Sequence, residues 1–122
     1  MSGSYSISRD VMKSRVIITF DGPRNYPIDA FWDEFMESVQ FAKCARPHFD
    51  VLLDHSRATL MPPERTPRSE EMAIWCIENG LRKSANIVPT EVLRMQLQRV
   101  TKHEEHFGFF ETLEEAEEWL AS

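Results

Sequence analysis

The chain has 122 residues and a mass of 14.3 kDa, which is the size of one compact domain. Its 42% hydrophobic and 28% charged residues exclude a disordered tail and a membrane span. Twenty acidic against 14 basic residues give a net charge of −6, which repels phosphate backbones, so we expect no nucleic-acid partner. The first ten residues, MSGSYSISRD, lack the apolar core of a signal peptide, and we expect a cytoplasmic protein.

No motif in the sequence indicates a cofactor or a metal. Cys44 and Cys76 lie in apolar helical patterns without CxxC spacing, which predicts buried free thiols. The four glycines form neither a GxGxxG motif nor a P-loop, so we predict no cofactor. Residues 103–106 (HEEH) have the spacing of two metal ligands on a helix, but they span a predicted helix end and a strand start. We interpret them as a turn and predict no metal.

The amino-terminal half predicts a hairpin, a helix and a central strand. Residues 5–11 and 15–20 read as two short strands joined by a tight turn. A helix is predicted from 27 to about 44, because proline is permitted at its first position and its apolar residues recur at intervals of three and four. Residues 49–54 (FDVLLD) form a short apolar run, which is typical of a strand covered on both faces.

The carboxyl-terminal half predicts alternating helices and strands. These segments, in chain order, are a proline-rich loop at 55–68, a helix at 69–83, a strand at 85–88, a helix at 91–103, a strand at 107–110 and a helix at 112–120. The whole order is β-β-α-β-α-β-α-β-α. It predicts a single α/β domain over 1–122, with a mixed sheet of four or five strands, an antiparallel edge and about four helices.

With this element order, two segments resemble the STAS family, the sulfate-transporter and anti-sigma-antagonist domains, and within it the small stand-alone SpoIIAA-like proteins. The segments are FDVLLDHSRATLM at 49–61 and FGFFETLEEAEEWL at 107–120. The resemblance implies a sheet of four or five strands with helices packed on it. It also implies a role in protein interaction, ligand sensing or lipid handling rather than classical catalysis.

The resemblance also bears on phosphorylation. In the phospho-regulated members an Asp-Ser-Ser-Gly motif follows the central strand and places the target serine at the start of the next helix. Here residues 61–64 (MPPE) occupy that place, so we predict that the phospho-switch serine is absent. Thr66 and Ser69 follow closely and remain candidate phosphorylation sites, because a phosphate near a helix start gains from free amide groups and the helix dipole.

Asp54, His55 and Ser56 stand at the end of the predicted central strand. They are the residue types of a hydrolase triad, but consecutive strand residues point to alternating faces and cannot converge. Open α/β sheets place ligands at the carboxyl ends of their parallel strands. We therefore predict that Asp54 and His55 lie at the rim of a pocket, and that Asp54 and Ser56 anchor the following loop.

Five further residues are candidates for binding a ligand or a partner. Arg57, Arg65 and Arg68 lie in the proline-rich loop, where removal of their charge should weaken binding without unfolding the domain. Trp32 and Trp75 lie on two helices rich in aromatic residues and methionine, whose apolar surface could exceed what one sheet face covers. Such an excess would form a homodimer interface or an apolar ligand groove.

We therefore expect a non-catalytic, STAS-like regulatory domain that interacts with proteins or senses a ligand in the bacterial cytoplasm. Its expected partners are a second copy of the chain, a regulatory protein or a small apolar ligand. One alternative is a carrier of a small apolar or lipid-like molecule. Another is a small hydrolase-type enzyme with a site at the Asp54/His55 strand end.

Overall fold

The computed structural model describes residues 3–102 and 105–122, which form a five-stranded sheet and four α-helices. The predicted α/β class, the mixed sheet and the order of the elements are confirmed. The elements are β1 (Ser4–Asp10), β2 (Arg15–Gly22), α1 (Ile28–Ala42), β3 (Phe49–Ala58), α2 (Thr66–Glu78), β4 (Leu81–Ile87), α3 (Glu91–Val100), β5 (Phe107–Phe110) and α4 (Leu113–Ala121). Short 3-10 turns at Val11–Lys13 and Pro63–Arg65 complete the fold.

The strands follow one another across the sheet in the order β1-β2-β3-β4-β5. β1 pairs with β2 in antiparallel orientation, and the other three pairs are parallel. Because each parallel strand is added on the same side of the last, right-handed crossovers place α1, α2 and α3 on one face of the sheet. α4 follows the last strand and packs on the other face, against β4 and β5.

Alternation along the strands supplies a core on each face. Val51 belongs to the larger core beneath α1 and α2, whereas the next residue, Leu52, packs beneath α4. In β4 the residues on the larger face are polar instead, because Ser84 and Asn86 alternate with Ala85 of the α4 core. The larger face of the sheet therefore carries a polar patch within an apolar surrounding.

The second helix lies earlier in the chain than the sequence predicts. α2 spans Thr66–Glu78 rather than 69–83, and β4 begins at Leu81 rather than at 85. The helix ends because Gly80 adopts a φ of +98°, a left-handed conformation that terminates helices. The side-chain Nδ2 of Asn79 also donates a hydrogen bond to the Trp75 carbonyl at 2.8 Å, which satisfies a carbonyl of the last turn.

The prediction of two buried thiols is half correct. Cys76 is buried on α2, and its burial raises the pKa of its thiol to about 12. Cys44 is exposed, because α1 ends at Ala42 and Cys44 falls in the turn that follows. In the part of the chain that the structure describes, no helix combines the length and the apolar character needed to cross a membrane.

Candidate functional site

A cavity of about 120 Å³ lies between the larger face of the sheet and helices α1, α2 and α3, and we call it the sheet–helix cavity. Its apolar lining residues are Ile18, Phe20, Ile28, Phe31, Phe35, Val51, Leu53, Met61, Met72, Ala73, Cys76, Leu97, Val100 and Phe107. Its polar lining residues are Arg24, Tyr26, His55, Arg65, Ser69, Ser84, Asn86 and Thr101. Neither an aspartate nor a glutamate is among the lining residues described.

His55 and Asn86 form the polar floor of this cavity near the carboxyl ends of β3 and β4. His55 is 1% exposed and Asn86 is 5% exposed. The Asn86 Nδ2 amide donates to the carbonyls of Ser84 and Gly108 at 3.4 and 3.3 Å, so its Oδ1 faces His55. That oxygen accepts a hydrogen bond from His55 Nε2 at 3.0 Å. The proton of the imidazole is therefore on Nε2, and Nδ1 carries a lone pair.

The environment of His55 keeps it neutral. Burial, followed by the neighbouring Arg24 cation, lowers the pKa of His55 to about 3. The hydrogen bond to Asn86 acts in the opposite direction but does not overcome these two effects. The imidazole also stacks on the Phe20 ring, with 5.0 Å between ring centroids and 12° between planes. The hydrogen bond at Nε2 and this stacking on Phe20 fix the orientation of the imidazole ring.

Arg24 brings a buried cation into the cavity wall. β2 ends at Gly22, which has a φ of +78°, and the chain turns sharply there. Pro23 follows the turn, and Arg24 is the next residue. The side chain is only 5% exposed. Its Nη2 donates to His55 Nδ1 at 2.7 Å, and its guanidinium lies 4.7 Å from the centroid of the Phe20 ring. Burial lowers the pKa of Arg24, whereas the Tyr26 side chain beside it raises that pKa.

Arg65 supplies a second cation to the same wall. It immediately precedes α2, donates through Nη2 to the Tyr26 carbonyl, and lies 4.8 Å from the centroid of the Tyr26 ring. Burial raises the pKa of the Tyr26 hydroxyl, and the two neighbouring arginines lower it. The Tyr26 ring also stacks on Phe20 at 6.4 Å. Two guanidinium groups and two aromatic rings therefore form one continuous wall of the cavity.

The loop between β3 and α2 closes the cavity through Met61. Gln96 on α3 binds the backbone of Met61 twice, because its Oε1 accepts from the Met61 amide at 2.9 Å and its Nε2 donates to the Met61 carbonyl at 3.2 Å. The Met61 side chain is 7% exposed and lines the cavity. This two-point contact fixes the loop to α3 and so positions the start of α2.

Of the candidates at the end of the central strand, the structure brings only His55 to the cavity. Asp54 and Ser56 project from the opposite face of β3, where Asp54 Oδ1 accepts hydrogen bonds from the Ser56 amide at 2.9 Å and the Ser56 hydroxyl at 2.5 Å. Both residues belong to β3, which extends to Ala58, so these two bonds lie within the strand and not in the loop that the sequence predicts from residue 55.

The arginine candidates occupy three different environments. Arg65 lines the cavity, as described above. Arg57 is an exposed residue that lies 3.7 Å from Asp21. Arg68 pairs with Asp29 of α1 at 2.7 Å and so joins the first turn of α2 to that of α1. The three cations therefore do not form one surface.

The tryptophan and phosphorylation candidates are also separated. Trp32 and Trp75 are partly buried and pack edge to face against the larger core, with 5.2 Å between ring centroids, and neither indole lines the cavity. Ser69 does line the cavity, and its hydroxyl contacts the Met61 sulfur at 3.6 Å. Thr66 is the first residue of α2.

The HEEH segment lies partly outside the described residues, because these omit 103 and 104. Of its other two residues, the half-buried His106 has its Nε2 3.5 Å from a carboxylate oxygen of the exposed Glu105. Within residues 3–102 and 105–122, no group of three or more histidine, cysteine, aspartate or glutamate side chains is placed to hold a metal ion.

The sequence analysis missed three residues of the polar wall: Arg24, Tyr26 and Asn86. One signal could have indicated Asn86, since an amide within the apolar run at 85–88 (ANIV) must find buried partners. Arg24 and Tyr26 lie in the polar-looking connection at 21–27, and nothing in the sequence separates them from ordinary loop residues. Their role depends on the turn at Gly22 and on the parallel pairing of β2 with β3.

Comparison with known proteins finds no family model that matches the chain and no significant match among curated proteins. The resemblance to the STAS family therefore rests on the order of the elements and on the two segments at 49–61 and 107–120.

Proposed function

We propose that the chain is a non-catalytic, STAS-like ligand-sensing domain that binds a small, mostly apolar molecule in the sheet–helix cavity. The observation that carries the proposal is the cavity itself, which has apolar walls and a few fixed polar groups at the carboxyl ends of parallel strands. Ligand sites in proteins have this composition, and α/β sheets place them at this end. An engineered apolar cavity of about 150 Å³ holds one benzene molecule, so a ligand of about that size fits the volume observed here.

The geometry does not favour the hydrolase alternative. Asp54 and His55 lie on opposite faces of β3, so the carboxylate cannot orient the imidazole. Both ring nitrogens of His55 are hydrogen bonded, and its low pKa makes it a poor proton acceptor at neutral pH. We therefore assign His55 a positioning role, in which it supports the Arg24 side chain.

The proposal includes three elements that come from composition and from the resemblance. These are a cytoplasmic location, assembly with a second copy of the chain, and a regulatory protein whose binding depends on whether the ligand is present. The carrier alternative shares the same cavity and differs only in what happens to the ligand afterwards. The binding experiment below therefore tests the feature that both readings require.

The methionine residues give a direct test of binding in the cavity. With methyl-13C methionine, a titration with benzene should shift the NMR signals of Met61 and Met72, which line the cavity. The signals of Met12 and Met95, which are 85% and 47% exposed and lie elsewhere, should not change. The expected behaviour is saturable, because one cavity holds one molecule.

Ala73→Leu provides the matched control, since Ala73 lines the cavity and three added carbon atoms would fill part of its volume. This variant should abolish the benzene-induced shifts while its other methionine signals remain those of a folded protein. The proposal is wrong if Met61 and Met72 do not respond in the unaltered chain, or if the signals of Met12 and Met95 respond as strongly as theirs.

A further inference from the structure

The charge of the cavity wall differs from the charge of the whole chain. The protein has 20 acidic and 14 basic residues, yet the cavity is lined by two arginines without a carboxylate among the described lining residues. Within the same described residues, neither Arg24 nor Arg65 has an ion-pair partner. Buried charges in proteins are normally paired, because removing an ion from water without a counter-charge is costly.

Arg24 is the more informative of the two cations. One guanidinium nitrogen is held by the neutral His55 ring, and the flat face of the group rests on Phe20. Its Nε is buried and has no acceptor. The side chain is therefore fixed in the cavity wall by neutral groups, without a counter-charge.

Arg65 is half-buried and is also held by neutral groups, namely the carbonyl and the ring of Tyr26. Its Nη2 is occupied by the Tyr26 carbonyl, whereas its Nη1 is buried without an acceptor. Burial is the main cause that lowers the pKa of Arg24, and the nearby charge of Arg65 acts in the same direction, so the two cations also repel each other. A single negative charge bound beside both would supply the counter-charge that each lacks and would offset their mutual repulsion.

We infer that the ligand of this cavity is a small organic carboxylate, whose negative group binds Arg24 and Arg65 and whose apolar body fills the space beneath α1 and α2. This inference rests on the proposed function and adds the chemical class of the ligand. A planar carboxylate matches the planar, forked donors of arginine. The apolar lining and the volume of about 120 Å³ favour a body the size of a phenyl ring or a short alkyl chain.

Benzoate, benzamide and benzylamine test the inference because they share one ring and differ in charge. We expect isothermal titration calorimetry at neutral pH to show benzoate binding at least about tenfold more tightly than benzamide, as charge-assisted hydrogen bonds predict. Benzylamine should bind most weakly. In Arg24→Met the affinity for benzoate should fall at least about tenfold and that for benzamide by less than about twofold. The Arg46→Met variant, at an exposed arginine that does not line the cavity, is the control and should leave both affinities unchanged.

The outcomes separate this inference from the proposed function. If benzamide binds as tightly as benzoate, the cavity is a ligand site but the ligand class is wrong. If neither compound binds, the proposed function fails together with the inference. If Arg24→Met does not fold, the comparison of benzoate with benzamide in the unaltered chain, repeated with Arg65→Met, decides the question.

Discussion

Lowering the pH from 7.5 to 5.0 is expected to reduce the free energy of unfolding by about 2 kcal/mol through His55 alone. The folded chain holds His55 neutral, with a pKa of about 3, because the ring is buried beside a cation. In the unfolded chain the same histidine takes up a proton below its ordinary pKa of 6.5. The unfolded state thus binds more protons, and stability falls as the pH decreases from about 6.5 towards 3.

The measurement is urea unfolding at a series of pH values from 7.5 to 5.0, a range above most carboxylate titration. His55→Gln removes the titrating group. Between pH 7.5 and 5.0 the free energy of unfolding of this variant should therefore fall by about 2 kcal/mol less than that of the unaltered chain, even if the variant is less stable at every pH. His48→Gln, at an exposed histidine, should retain the full dependence of the unaltered chain. Equal pH dependence in His55→Gln and the unaltered chain would contradict a neutral buried imidazole.

NMR of the imidazole nitrogens supplies an independent check that needs no variant. At pH 5.0 the ring of His55 should still show a protonated Nε2 and an unprotonated Nδ1, because Nδ1 accepts a hydrogen bond from Arg24. Protonation of Nδ1 would place two cations 2.7 Å apart in a buried site. A doubly protonated His55 ring at this pH would refute the hydrogen-bond directions given above.

Asn86→Ala is expected to lower the free energy of unfolding by about 2–4 kcal/mol. The substitution removes the acceptor of His55 Nε2 and leaves that buried N–H group without a partner. It also removes the two amide hydrogen bonds to the carbonyls of Ser84 and Gly108 and leaves a small void beneath the cavity. Each of these losses destabilises only the folded state.

Urea unfolding of the Asn86→Ala variant at pH 7.5 measures this effect. Asn79→Ala is the matched control, because its amide is only partly buried and donates to a single backbone carbonyl. That control should lose less than about 1 kcal/mol. If the two variants lose the same amount, the polar floor of the cavity does not contribute to stability in the way argued here.

The chain order of strands and helices could be predicted from the sequence because each element carries a local signal. The alternating strand at 15–20, the helix opened by Pro27 and the apolar run at 49–54 are readable without tertiary contacts. The helix predicted at 69–83 runs past Asn79-Gly80, although a glycine after the last apolar position indicates a helix end. In the structure α2 ends there, because Gly80 has a positive φ.

The candidate site could be predicted only in part, because its contacts join distant parts of the chain. His55 was found from its position at a strand end, but its partners Arg24 and Asn86 each lie 31 residues away. These contacts depend on the parallel register of three strands, which no local pattern encodes. The tryptophans, by contrast, were conspicuous in the sequence, yet they pack against each other outside the cavity.

A crystal structure of the chain grown in a high concentration of sodium benzoate tests whether the sheet–helix cavity is a ligand site, because it locates the ligand. We expect benzoate in the sheet–helix cavity, with its ring among the apolar side chains and its carboxylate within hydrogen-bond distance of Arg24. A structure in which the cavity is empty, while Arg24 and His55 keep the contacts described here, would contradict the claim that this cavity is a ligand site.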